Sequence, residues 1–72
     1  MTISIDQALR ESASAAGLND LQIAYRIERT QQAVQNYMSG KNTPGGETIV
    51  RLMREVPGFA ERLGFQPVAH AA

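Results

Sequence analysis

Apolar residues along this 72-residue chain recur at helical spacing, and no segment alternates in the two-residue period of a strand for more than a few positions. What repeats is a cap, a short apolar-periodic run and a stop. Ser4, with Gln7 three residues on, has the pattern of a capping box. It opens a run with Ile5, Ala8, Leu9, Ala13 and Ala16 on one side, and Gly17 closes it. Asn19 and Gln22 repeat the device ahead of Ile23, Ala24 and Ile27. Thr30 caps a third run, Gln31 to Ser39, in which Val34 and Tyr37 are one turn apart and Gly40 is the stop. Residues 41–46, Lys-Asn-Thr-Pro-Gly-Gly, are a loop by composition.

A fourth run carries Glu47 in its first turn, where a carboxylate favours the helix dipole. Its Ile49, Leu52, Met53 and Val56 fall at i, i+3, i+4 and i+7. Pro57 stops it and is expected in the first turn of a fifth helix with Phe59, Ala60 and Leu63, before Gly64. The pattern predicts an all-α fold, a compact bundle of about five short helices, with residues 1–64 as the domain and 65–72 as a C-terminal tail. Met38 and Met53 read as core filler, and Tyr37 as core with its hydroxyl at the rim. Arg51, Arg54, Glu55, Glu61 and Arg62 read as solvated helix charges.

Composition narrows the function by exclusion. A hydrophobic fraction of 43% supports a core, so a wholly disordered chain is not expected. The absence of Cys removes disulfides, thiolate metal sites and a Cys nucleophile. The one histidine, His70, lies in an Ala-rich tail without partners for a triad or a metal site. No Ser has a His or Lys at pairing distance, and the carboxylates are scattered singly, so no enzyme, cofactor, metal or small-molecule ligand is expected. There is neither a membrane-length apolar run nor a signal pattern, which predicts a soluble, cytoplasmic protein. Seven Lys+Arg against seven Asp+Glu give zero net charge, a total that on its face counts against nucleic acid.

Position changes that picture. The second and third helices are about three residues apart, the tight connection of a helix-turn-helix, whose second helix can enter a major groove. With Val34 and Tyr37 inward, Gln32, Gln35, Asn36 and Ser39 fall on the opposite face, and Gln31 lies at the exposed N-terminal edge. Amides present a donor and an acceptor together, which is what adenine N6 and N7 require. From Arg26 to Asn42 there are three positive residues (Arg26, Arg29, Lys41) and one negative (Glu28), a local charge of +2. Thr30, Ser39, Asn42 and Thr43 add uncharged phosphate donors. Taken alone, the amide face is equally readable as a plain solvated helix surface.

Residues Gly17 to Pro44, GLNDLQIAYRIERTQQAVQNYMSGKNTP, resemble the DNA-binding domain of the Cro/C1-type (XRE-like) helix-turn-helix family, the group of the lambdoid phage repressors and Cro proteins. The matches are Gly17-Leu18-Asn19, Ile23-Ala24, Thr30-Gln31-Gln32, Val34, Gly40-Lys41, Pro44 and Glu47-Thr48-Ile49. The resemblance implies a lambda-repressor-like fold that binds a double-stranded DNA operator as a homodimer to regulate transcription. It implies base reading by Gln31, Gln32 and Asn36, with Gln35 a further candidate, and backbone contacts from Lys41 and Asn42. Related proteins pair through C-terminal elements, which makes Phe59, Leu63, Phe65 and Val68 candidates for the dimer interface. No self-cleaving C-terminal domain is expected at this length.

Four residues depart from the family pattern. Glu28 stands where Gly is usual in the turn, and Arg29 replaces an apolar turn residue. Asp20 replaces a Gln whose amide reaches phosphate, and Gly46 replaces an apolar residue at the start of the fourth helix. Two other functions remain open on the residues alone. One is an antitoxin of a toxin–antitoxin pair, with the C-terminal apolar residues as toxin-binding surface. The other is a helical protein-interaction module that does not bind DNA, which zero net charge, Asp20 and Glu28 favour.

Overall fold

Three helix starts in this chain are set by short polar side chains that take up the free N–H groups of a first turn. The computed structural model describes residues 3–64, and among these it has five helices and no strand: α1 (Ile5–Ala16), α2 (Asp20–Ile27), α3 (Gln31–Ser39), α4 (Gly46–Glu55) and α5 (Phe59–Arg62). Asn19 Oδ1 accepts from the Gln22 N–H at 2.8 Å, and Gln22 Oε1 accepts from the Asn19 N–H at 2.9 Å, a complete capping box. Thr30 Oγ1 accepts from the Ala33 N–H at 3.1 Å. Ser4 makes only half of its box: Oγ accepts from the Gln7 N–H, while the Gln7 amide turns forward to Glu11 at 2.9 Å. Pro57 lies in the turn before α5 rather than in its first turn, and Gly58, with φ 84°, starts that helix.

Three helices end by one device. After α1, α2 and α3 a left-handed residue lets the next N–H reach back to a carbonyl of the last turn: Leu18 to Ala13 at 2.9 Å, Arg29 to Ala24 at 3.0 Å and Lys41 to Asn36 at 3.0 Å. Gly17 and Gly40 take that conformation without strain. At the end of α2 the residue is Glu28, with φ 59° and ψ 44°, the one non-Gly residue of positive φ among the described residues. Its side chain sits in a conformation that disfavours a Cβ.

The buried core is Ala8, Leu9 and Ala13 of α1; Ile23, Ala24 and Ile27 of α2; Val34 of α3; Leu52 of α4; and Val56 and Phe59 around α5. Ile3, Ile5, Leu18, Tyr37, Met38, Ile49, Met53 and Leu63 pack around it half-buried. Ala16, placed on the inner side by periodicity, is exposed, because the helix ends there and nothing covers its last turn. Phe59 is fully buried, so it fills the core and offers no surface to a second subunit. Leu63 is half-buried, and Phe65 and Val68 lie outside the described residues. Neighbouring helices form a closed circuit: α1 packs on α3, α3 on α2, α2 on α4, α4 on α5, and α5 back on α1.

Arginines fasten the joints of that circuit. Arg51 of α4 donates to the Ile27 carbonyl at the end of α2 (3.1 Å), and Arg26 of α2 donates to the Glu55 carbonyl at the end of α4 (3.0 Å). Arg10 of α1, paired with Asp6 at 3.2 Å, donates to the Met38 carbonyl near the end of α3. A cation at each of these C-termini meets the negative end of a helix dipole. Arg62 reaches the buried Ser12 hydroxyl at 3.5 Å and lies 3.8 Å from Glu11. Arg51 and Arg62 are therefore half-buried structural groups, not solvated charges. Among the described residues, no helix is long and apolar enough to cross a membrane.

Candidate nucleic-acid interface

The three residues Glu28, Arg29 and Thr30 separate α2 from α3, and the two helices pack directly on each other. Val34 is fully buried and Tyr37 half-buried, which fixes the rotation of α3 and leaves Gln31, Gln32 and Gln35 exposed, with Asn36 half-buried. The four amide residues of this helix therefore share its outer side, as their spacing predicts.

Hydrogen bonds organise these amides into two pairs. Gln32 Nε2 donates to Asn36 Oδ1 at 3.1 Å, one turn along the helix. Gln31 Nε2 and Gln35 Nε2 donate to the two oxygens of Asp20, at 3.2 Å and 2.8 Å. The bonds from Gln35 and then Gln31 hold the Asp20 carboxyl below its ordinary value, outweighing partial desolvation, and the Leu21 N–H adds a third donor at 2.8 Å. On the sequence alone Asp20 is a departure from the family pattern that counts against a phosphate contact. The signal that identifies it is the one-turn spacing of Gln31 and Gln35, which lets both reach a single acceptor at the start of the preceding helix.

The predicted phosphate donors do not all remain free. Arg29 turns to α4 and donates to the buried Thr48 hydroxyl from Nε and Nη2, at 3.3 and 3.2 Å. Arg26 is held by the Glu55 carbonyl. The Ser39 hydroxyl donates to the Asn36 carbonyl at 3.2 Å, which uses its proton. Thr30 Oγ1 accepts within its cap and keeps its proton. Lys41, Asn42 and Thr43 are exposed in the loop after α3, and Lys41 is the cation of this segment whose side chain makes no bond among the described residues. The surface is thus amide-rich, with one free positive charge in the loop and one carboxylate enclosed by amide donors.

Beside it, Leu21 and Tyr25 stand one turn apart on α2, 57% and 87% exposed, and with Gln22 and Arg26 they line a shallow apolar groove. Periodicity places Tyr25 outside, and Leu21, one turn earlier, shares that side. No group of three or more His, Cys, Asp or Glu that could hold a metal ion occurs among the described residues. Comparison with protein-family models, with curated proteins and with solved structures finds no significant match to this chain.

Proposed function

We propose that this protein binds a specific operator in double-stranded DNA and regulates transcription, with α3 entering the major groove and two copies reading two half-sites. The observation that carries the reading is the outer side of α3, where four amide residues follow a three-residue turn and are held in defined pairs. Such groups match the donor–acceptor edges of bases better than they match phosphate. The resemblance of residues 17–49 to the Cro/C1-type family supports the same reading, as does the exposed loop of Lys41, Asn42 and Thr43 beside the end of α3. Gln31, Gln32, Gln35 and Asn36 read bases. Lys41, Asn42, Thr43 and the Thr30 hydroxyl hold the backbone, while Arg26, Arg29 and Ser39 support the scaffold. Leu63, with the apolar Phe65 and Val68 that follow it in sequence, is the proposed subunit contact.

Selection of bound sequences from a random DNA pool at low salt tests this. The expected result is enrichment of a two-fold symmetric site whose half-site centres lie about 34 Å apart or a multiple of it. Absence of any enriched sequence overturns the reading. A second reading, a protein-interaction module, is favoured by the exposed Leu21 and Tyr25. Under it, changing these two residues abolishes partner binding, and changing the glutamines has no effect.

A further inference from the structure

Asp20 does more than supply a negative charge to the first turn of α2. An ionised carboxylate accepts hydrogen bonds and has none to give, so the nitrogen of each bound amide must face it. The bonds from Gln31 and Gln35 therefore decide which way round both amides stand. An unanchored side-chain amide leaves that choice open between two flips of nearly equal energy.

The anchoring also limits what each glutamine offers a base. An amide nitrogen carries two hydrogens, and Asp20 takes one from each residue. One N–H and the Oε1 acceptor remain. Guanine shows two acceptors in the major groove, N7 and O6, and needs two donors; adenine shows an acceptor, N7, beside a donor, N6. A glutamine with one hydrogen committed matches adenine and falls one donor short of guanine.

Resting on the DNA reading above, we infer that Asp20 is a specificity-determining residue: by holding the amide nitrogens of Gln31 and Gln35 it directs both toward adenine and away from guanine. It touches the reading residues and not the base, so it is a positioning residue. The same carboxylate takes the place of a phosphate contact, trading affinity for all sequences against discrimination among them.

The test compares the full-length wild type with Asp20→Asn and with Glu28→Gln, which removes a carboxylate that bonds to no glutamine. Sites are selected from a random pool, and the best site is then measured with single adenine-to-guanine replacements. Wild type is expected to prefer adenine about tenfold or more at the positions that Gln31→Ala and Gln35→Ala affect. Asp20→Asn, which keeps one acceptor oxygen and turns the other into a donor, weakens that preference at those positions only, whereas Glu28→Gln strengthens binding to all sequences alike. Asp20→Ser, which keeps a helix-starting side chain but is too short to reach both amides, collapses it. Unchanged preferences in the Asp20 variants overturn the inference while operator binding stands. If the wild type enriches no sequence, the inference and the DNA reading fall together.

Discussion

Replacing Glu28 by Gly should stabilise the protein. Glu28 holds φ 59° and ψ 44°, and its side chain makes no hydrogen bond or ion pair among the described residues. Nothing is lost with the side chain, and the left-handed penalty of roughly 1–2 kcal/mol is relieved. Against this, glycine loosens the unfolded chain by about 0.4–1 kcal/mol, leaving a net gain of about 0.5–1 kcal/mol. For a domain of this size that corresponds to a rise in Tm of about 2–8 °C. Urea unfolding followed by circular dichroism reads the change as a higher midpoint at constant slope. Glu28→Gln keeps the Cβ and removes the charge, so it should leave the midpoint in place. Glu28→Val adds a β-branch at the same φ and should lower it. A Gly variant no more stable than wild type, or a Val variant that costs nothing, would refute the left-handed turn as the source of the energy.

Other measurements bear on the rest of the molecule. If DNA is bound, Lys41 is the free cation of the α3–loop segment, so a dimer should show a log–log salt slope of about −2. A slope near −5 would mean that Arg26 and Arg29 leave α4 to meet phosphate. Arg51→Ala removes the bond to the Ile27 carbonyl and the pair with Glu47 at 3.2 Å, and should cost roughly 1–2 kcal/mol. Arg54→Ala, which breaks no such bond among the described residues, should stay within about 0.5 kcal/mol of wild type, and equal losses in both would argue against the cap. Asp20 and Asp6 both titrate below the ordinary aspartate value of 3.8, Asp20 through its glutamines and Asp6 through Ser4 and then Arg10. Their stabilisation is therefore complete above that value and lost as pH falls through the lower folded values. The side-chain amide resonance of Gln35 should hold constant from neutral pH to about 4 and move only below it; a midpoint at or above 3.8 would exclude the bond.

The helices were legible because their starts and stops are local. Asn19, Thr30, Gly17 and Gly40 each bind or bend the backbone within a few residues, so sequence alone places them. The outer face of α3 was legible for the same reason, since Val34 sets its rotation. What sequence did not reveal depends on partners far along the chain. Arg26 and Arg29 look like free cations beside the candidate site, yet their partners, Glu55 and Thr48, are 29 and 19 residues away. Asp20 looks like an intrusion until Gln31 and Gln35 close on it from 11 and 15 residues away. Phe59 looks like a spare apolar residue because periodicity cannot tell that α5 folds back onto α1.

That return of α5 to α1 decides what completes the core. With the helices joined in a closed circuit, no consecutive pair carries a complete core. Without α5, the sides of α1 and α4 that pack on it stay uncovered. A protease that nicks the Val56–Gly58 turn reopens the circuit at its last joint. The shortest helix, four residues long, is the latch of the domain.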